Sequence, residues 1–151
     1  PLEELVPIQL EYVKGTMTSI SSEEQAYFDA IYADLALLED LDGLSNSQAV
    51  MGAYKAYWTD LATYEPLVLV QDIEVPLLIL QGERDYQVTM TDFNLWQEAL
   101  VDKPNVSFIS FEKLNHLLMA GEGPSTPTEY TIPNHVDLAL INEIVSFIKN
   151  N

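Results

Sequence analysis

The fold class is decided by the stretch Val75-Pro76-Leu77-Leu78-Ile79-Leu80-Gln81-Gly82-Glu83-Arg84-Asp85. After the proline, the apolar residues do not alternate with polar ones, a pattern that is typical of a short strand buried on both faces of a parallel sheet. Asp85 follows this strand in a loop. In open α/β sheets, ligands and chemistry collect at the edge where the strands end. The stretch therefore predicts an α/β fold and makes Asp85 a candidate functional residue.

The composition indicates a globular domain with a strongly acidic surface. Of 151 residues, 48% are hydrophobic, 24 are acidic and 6 are basic, which gives a net charge of −18. The first 75 residues carry 14 of the acidic and 2 of the basic side chains. This balance argues against nucleic acid and anionic membranes as partners, since both need clustered Lys and Arg. Two interpretations of the acidic surface stay open, a solvated helix face and the steering of a cationic substrate.

Several classes of site are excluded or disfavoured. The chain has no cysteine, which excludes disulfides, thiolate catalysis and Cys-ligated zinc. Two isolated histidines, His116 and His135, are too few for a zinc site, and no phosphate-binding or dinucleotide-binding glycine motif occurs. No apolar run approaches ~18 residues, so we expect no membrane span. The chain begins at Pro1 without a signal-peptide pattern, and we expect it to be part of a longer polypeptide whose localisation is open.

Residues 1–70 are expected to be mostly helical. The apolar residues of the first segment recur at helical spacing, although Ile8, Leu10 and Tyr12 also alternate as in a strand, and Pro7 should kink a helix. Ser21 with Glu24, or the pair one residue later, predicts a capping box that opens a second helix, ending at residues 42–43. A third helix is predicted over residues 47–61. The apolar stripes of the three are, in order, Leu2, Leu5, Ile8 and Tyr12; Tyr27, Ile31, Leu35, Leu38 and Leu41; and Val50, Tyr54, Tyr57, Trp58 and Leu61.

Residues 71–151 predict a βαβα arrangement. A strand over residues 75–81 is followed by a helix capped by Thr91, and then by a second strand, Val106–Phe111. Strand, helix and strand within about 35 residues form a crossover unit with parallel strands. An aperiodic loop leads to a last helix capped by Asn134. The residues expected to face inward from this helix are Val136, Leu140, Ile141, Ile144, Val145 and Ile148.

Asp85 and His116 are expected to meet at one edge of the sheet. Each follows one of two parallel strands that end on the same side, His116 by about five residues. A carboxylate in reach of an imidazole accepts the Nδ1–H, fixes the tautomer and stabilises the imidazolium. Such a pair is the acid–base half of a nucleophilic triad, and it still needs a nucleophile.

Each of these residues also has a purely structural interpretation. An aspartate after a strand commonly forms a turn, and a lone histidine commonly bonds a backbone carbonyl. Glu83 is an alternative acid, and Arg84 beside it is interpreted as structural. His135 is interpreted as part of the beginning of the last helix.

The stretches VPLLILQGERDYQV and LNHLLMAGEG resemble the seventh strand with its acid loop and the histidine loop of the α/β-hydrolase family. The final helix resembles the helix that packs back on the sheet there. The resemblance implies that Asp85 is the catalytic acid, that His116 is the catalytic base, and that no cofactor is needed. It also implies that residues 1–70 are a helical cap and residues 71–151 the last part of the core. The subgroup suggested is bacterial carboxylesterases or acyl-peptidase-like serine hydrolases, some of them exported.

The cap that this resemblance implies carries three aromatic residues at helical spacing, Tyr54, Tyr57 and Trp58. They either line an acyl pocket beneath the cap or form plain core. The implied substrate is a small-molecule or peptide ester, of unspecified identity.

The family's nucleophile motif G-x-S-x-G is absent. Ser45, in Gly43-Leu44-Ser45-Asn46-Ser47, lacks the closing glycine and follows a helix. The resemblance therefore implies the C-terminal part of a longer hydrolase, inactive alone. Two parallel strands leave an open edge, which we expect to pair with the missing N-terminal half or with a second copy. Two alternatives stay open: a non-catalytic binding module, and a hydrolase whose upstream nucleophile is an aspartate.

Overall fold

The computed structural model describes residues 2–151, and the chain divides into two compact units at Glu65/Pro66. This division lies five residues before the predicted boundary between residues 70 and 71. Helices and a small parallel sheet make the chain a mixed α/β protein. None of the described helices is long and apolar enough to cross a membrane.

The first unit opens with two helices, α1 (Leu2–Thr16) and α2 (Ser22–Leu38). The helical interpretation of the first segment is thus correct, and Pro7 lies inside α1. The structure describes the backbone of Leu2 but not its side chain, so this member of the predicted apolar stripe is not tested. The predicted capping box is present: Ser21 Oγ accepts the Glu24 N–H at 3.2 Å, and Glu24 Oε2 accepts the Ser21 N–H at 2.7 Å.

The buried face of α2 agrees with the prediction except at Tyr27: Leu35 is buried, and Ile31, Leu38 and Leu41 are partly buried. Tyr27 is 64% exposed, whereas its neighbour Phe28 is buried together with Leu35, Val6 and Leu10. The helix also ends earlier, at Leu38. The carboxylate of Asp40 accepts the Gly43 N–H at 3.0 Å, which stabilises a turn in place of a further helical turn.

The third predicted helix is wrong in its first half. A hairpin of β1 (Ala49–Val50) and β2 (Ala53–Tyr54) precedes α3 (Lys55–Ala62). Its two connecting residues, Met51 (φ 47°) and Gly52 (φ 82°), both have positive φ, as a two-residue type I′ turn requires. The turn brings Val50 against Trp58 and Leu44 in a second buried cluster.

The second unit is built around a parallel pair of strands, as predicted. Strands β3 (Leu77–Gly82) and β4 (Val106–Phe111) pair in register, with Leu77 opposite Val106 and Gly82 opposite Phe111. The crossover contains helix α5 (Met90–Ala99). The remaining elements are α4 (Pro66–Leu69), two 3₁₀ turns (Val70–Asp72 and Pro127–Thr131) and α6 (Leu138–Asn150).

Two predicted helix caps are displaced. Thr89, and not Thr91, caps α5, because Asp92 three residues on returns its carboxylate to the Thr89 N–H at 2.9 Å. Asp137, and not Asn134, caps α6 by accepting the Ala139 N–H at 2.8 Å. In each case the residue that caps is the one whose side chain reaches the unpaired amides of the first turn.

Helix α6 buries less than predicted. Leu140 is 2% exposed and Ile144 is half-buried, but an adjacent stripe is largely exposed. Residues three and four apart share one face of a helix, so Ile144 adjoins Ile141 and Ile148, and burial is confined to one edge of a broad apolar face. The exposed stripe comprises Leu138, Ile141, Val145 and Ile148. Val136, just before the helix, is also exposed.

Candidate active site

Asp85 lies three residues beyond β3, in a turn closed by its own N–H, which donates to the Gly82 carbonyl at 3.1 Å. Its two carboxylate oxygens are used separately. Oδ1 accepts the N–H groups of Gln87 (2.8 Å) and Val88 (3.0 Å), which fixes the side chain in an Asx turn. Oδ2 lies 2.9 Å from His116 Nδ1. Two backbone donors therefore orient the carboxylate through Oδ1, and Oδ2 is left to contact the imidazole.

His116 lies five residues beyond β4, in a tight loop shaped by the preceding residue. Asn115 is 1% exposed, and its Oδ1 accepts the N–H groups of Leu117 (3.0 Å) and Met119 (3.2 Å). Leu118 has a φ of 58°, a left-handed conformation that is strained for a residue with a branched side chain. The loop thus presents His116 at the surface, with 37% of its side chain exposed, while the side chain of Asp85 is 8% exposed.

The arrangement of the pair has a definite chemical meaning. A carboxylate on Nδ1 selects the tautomer in which Nδ1 carries the proton, which leaves Nε2 as the nitrogen that can take and return one. The same carboxylate stabilises the imidazolium that forms when Nε2 is protonated. The pair can therefore serve as a general base and its orienting group toward a hydroxyl placed at Nε2.

The loops of Asp85 and His116 are held against each other by backbone contacts. The Arg84 N–H donates to the Leu114 carbonyl at 3.0 Å, and the Glu83 N–H continues the strand pairing to the Phe111 carbonyl at 2.9 Å. Gly82 lies where the two loops meet, and a Cβ there would collide with the carbonyl of Leu114. The glycine is thus required by a close approach of two backbones.

A partly buried ion pair, which the sequence did not predict, supports both loops. Arg84, whose side chain is 9% exposed, donates from Nη2 to Glu129 Oε1 and from Nε to the Gly123 carbonyl at 2.6 Å. Glu129 Oε2 accepts from Asn115 Nδ2 (3.0 Å) and from Ser125 Oγ (3.3 Å). Burial raises the pKa of Glu129, but the hydrogen bonds from Arg84 and Asn115 outweigh it, so its pKa lies below the ordinary value.

The sequence around Glu129 has the pattern of a helix start, which is a different role from the one that Glu129 has. Thr126-Pro127-Thr128-Glu129 has the spacing of a capping box with proline at the first helical position. A 3₁₀ turn does begin at Pro127, but Thr126 makes no side-chain cap. The Glu129 carboxylate is directed to Arg84 and Asn115, and a local sequence pattern does not carry that information.

The other candidate residues lie elsewhere. Glu83, the alternative acid, accepts a hydrogen bond from Ser110 Oγ at 2.6 Å. His135 is an exposed residue before α6, whose N–H donates to the Asn134 side chain. Among the side chains that the structure describes, residues 4–151, no group of three His, Asp or Glu could hold a metal ion.

The three aromatic candidates belong to the first unit and differ in exposure. Tyr54 and Tyr57 are more than half exposed, whereas Trp58 is buried. The indole N–H of Trp58 lies within hydrogen-bonding distance of the carbonyls of Val50 (3.2 Å) and Ala53 (3.3 Å), and its ring meets Tyr57 edge-on at 5.0 Å. Trp58 therefore fills the core beneath the hairpin, and the two tyrosines are accessible.

Comparison with known proteins gives one informative relationship. No protein-family model matches the chain, and no solved structure matches it significantly. Over 150 residues, the chain is 35% identical to a protein of Thermotoga maritima named esterase EstD. The matched region is 98% of this chain but 34% of that protein, so the chain spans about a third of the length of the relative.

Proposed function

We propose that this chain supplies the acid and the histidine of a Ser-His-Asp triad in a serine hydrolase of the α/β-hydrolase family, acting on ester or related acyl bonds. Asp85 is the acid and His116 is the base. The nucleophilic serine and the oxyanion hole belong to a part of the polypeptide that precedes this chain. No cofactor takes part in the proposed reaction.

The observation that carries this proposal is the contact between Asp85 Oδ2 and His116 Nδ1 at the end of two parallel strands. A structural aspartate would need only its Asx turn, and a structural histidine would need only a backbone partner. Here Asp85 makes a contact beyond its Asx turn, and Nδ1 of His116 meets a carboxylate in place of a backbone carbonyl. The 35% identity with a protein named esterase points to the same reaction class.

The proposed mechanism follows from the orientation of the imidazole. With Nδ1–H held by Asp85, Nε2 takes the proton of the serine hydroxyl as the hydroxyl attacks the acyl carbon. The imidazolium then gives this proton to the leaving alcohol. A water repeats the sequence to release the acid. Asp85 stays ionised throughout and stabilises the imidazolium.

We also propose that the first unit is a cap that covers the acyl group of the substrate. Tyr54 and Tyr57 are more than half exposed, as Tyr27 and Tyr64 of this unit also are, and the Trp58 ring packs edge-on against Tyr57. Replacing Tyr54 and Tyr57 with alanine is expected to raise KM for long-chain esters more than for acetate esters. An equal effect on all chain lengths would contradict this role.

Fluorophosphonate labelling of the intact protein that contains this chain tests the triad. Wild type is expected to be labelled on an upstream serine, and His116→Ala and Asp85→Asn are expected to slow labelling strongly while the fold is kept. Absence of labelling in folded wild type would refute a serine hydrolase and favour a binding module. Covalent trapping on an upstream aspartate would identify the other hydrolase class.

A further inference from the structure

We infer that Glu129 is a positioning residue for the Asp85–His116 pair, and that it acts through the residues that immediately precede each of them. This inference rests on the proposed function for its catalytic meaning. Its geometry is independent of the nucleophile. The Glu129 carboxylate accepts hydrogen bonds from Arg84, Asn115 and Ser125 and from neither Asp85 nor His116, so Glu129 is distinct from the triad itself.

One oxygen of Glu129 holds the loop of Asp85. Oε1 accepts from Nη2 of Arg84, the residue before Asp85, and Arg84 also donates to the carbonyls of Gly123 (2.6 Å) and Glu122 (3.3 Å). Because the guanidinium is planar and its donors are fixed in direction, this set of acceptors fixes the guanidinium and thereby restricts the positions open to the Arg84 backbone. Asp85 is the next residue in the chain, so the position of its carboxylate depends on that of the Arg84 backbone.

The other oxygen of Glu129 holds the loop of His116. Oε2 accepts from Nδ2 of Asn115, the residue before His116. The Asn115 side chain is thereby oriented so that its Oδ1 accepts the N–H groups of Leu117 and Met119, which close the loop around His116. One carboxylate thus links two loops that are 31 residues apart in sequence.

A carboxylate is needed here because every partner is a donor. Arg84, Asn115 and Ser125 all donate to Glu129, and a glutamine has one acceptor oxygen and an amino group that would face a second donor. Glu129→Gln is therefore expected to release one loop while it keeps the size of the side chain. Aspartate keeps both acceptors but is shorter, so Glu129→Asp should retain part of the effect.

The matched control is Glu122→Gln. Glu122 lies in the same loop and also forms an ion pair, with Lys113 at 2.6 Å, but both of these side chains are mostly exposed. The substitution removes the same charge and keeps the same shape, whereas the Glu122 carbonyl that receives Arg84 is unchanged. A general effect of charge in this loop would appear equally in both variants.

The test that does not depend on catalysis is NMR of the His116 Nδ1–H in ¹⁵N-histidine-labelled intact protein, assigned by its loss in His116→Asn. Wild type and Glu122→Gln are expected to show this proton protected from exchange. In Glu129→Gln, exchange is expected to be at least about tenfold faster, and in Glu129→Asp intermediate. Unchanged protection in folded Glu129→Gln would overturn the inference, whatever the enzyme does.

The catalytic readout is kcat and KM for a p-nitrophenyl ester. Displacement of a catalytic group by about 1 Å costs on the order of 10- to 100-fold, so Glu129→Gln is expected to lower kcat by about that factor and to leave KM nearly unchanged. An inactive wild type would refute the proposed function while the NMR result still decides the role of Glu129. A wild-type kcat in Glu129→Gln would overturn the inference alone.

If Glu129→Gln fails to fold, Gly121→Ala gives an independent route. A methyl group at Gly121 would collide with the guanidinium of Arg84, which displaces the same link without a change of charge. It is expected to accelerate exchange of the His116 Nδ1–H as Glu129→Gln does. Unaltered exchange in this variant would contradict the inference.

Discussion

Gly82 and Leu114 are in backbone contact at the point where β3 ends, with no space for a methyl group between the glycine Cα and the leucine carbonyl. Gly82→Ala must therefore push apart the loops that carry Asp85 and His116. We expect a loss of about 1–3 kcal/mol in the free energy of unfolding, as for other overpacked sites. Chemical denaturation measures this loss.

Gly15→Ala is the control for Gly82→Ala. Gly15 lies in α1 with open space around it, so this substitution should be neutral or stabilising by about 0.5 kcal/mol. Equal effects at both positions would contradict the steric argument.

Substitution of Asp85 separates its two functions. In Asp85→Asn, the remaining carbonyl oxygen can still accept from Gln87 and Val88, so the turn should persist and the melting temperature should change little. The amide would then face Nδ1 as a donor and favour the wrong imidazole tautomer. We expect kcat of the intact protein to fall by about 10⁴-fold with little change in KM. Steady-state hydrolysis of an aryl ester measures this.

Glu83→Gln is the matched control for Asp85→Asn. Glu83 is bonded to Ser110 and not to the histidine, so this variant should keep the wild-type kcat. A strong loss in Glu83→Gln together with an active Asp85→Asn would show that the acid has been wrongly assigned.

The ion pair of Glu129 predicts a pH dependence of stability with a definite sign. The pKa of Glu129 is lower in the folded protein than in the unfolded chain, where it is about 4.3. Its contribution is therefore fully present above about pH 4.3 and is lost as the pH falls through the folded-state pKa. We expect the difference in unfolding free energy between wild type and Glu129→Gln to be constant near neutral pH and to shrink in acid. Urea denaturation at several pH values measures it, and a difference independent of pH would contradict it.

The hairpin turn predicts opposite effects at two adjacent positions. Gly52 has a φ of 82°, and an alanine there should cost about 1 kcal/mol. Met51 also has a positive φ, and asparagine tolerates this conformation better, so Met51→Asn should stabilise the first unit by a few tenths of a kcal/mol. Thermal unfolding followed by circular dichroism measures both. Stabilisation by Gly52→Ala would contradict the assigned turn.

The exposed stripe of α6 predicts how the 151-residue chain behaves alone. Leu138, Ile141, Val145 and Ile148 form a contiguous apolar surface, and the two-stranded sheet has open edges. We expect the chain to self-associate at micromolar concentration, and Ile141→Lys with Ile148→Lys to reduce this association. Sedimentation velocity measures the distribution. A monomeric wild-type chain would go against the expectation.

The sequence predicted those parts of the fold that depend on local patterns. The apolar run before Gly82 identified a strand, although its apolar residues, 77–80, are half-buried and not fully buried as expected. Ser21 with Glu24 identified the beginning of α2. Asp85 and His116 each follow one of two successive strands. Because two parallel strands end at the same edge of the sheet, this position was enough to place both residues at that edge.

The errors share a physical cause. More than one residue or local structure fits the same periodic pattern, and the pattern does not say which of them is adopted in the folded chain. Tyr27 and Phe28 both fit a helical stripe, and packing against α1 selected Phe28. Met51-Gly52 forms a hairpin turn within a stretch whose apolar residues have helical spacing. The turn forms because glycine favours the positive φ that it requires. Glu129 lies in an aperiodic loop, and its partners are 14 and 45 residues away, so no window of sequence contains the reason for its position.

The carboxylate of Glu129 also sets the smallest unit in which this acid–histidine pair could be grafted onto another protein. A transplant of the two loops after β3 and β4 would carry Asp85, His116, Arg84 and Asn115 but would leave a buried guanidinium without its counter-ion. The 3₁₀ turn at Pro127–Thr131 has to travel with them, although it contains neither member of the pair. Transfer of the pair to another protein therefore requires three separated segments of the chain, which the Glu129 carboxylate links through its hydrogen bonds to Arg84 and Asn115.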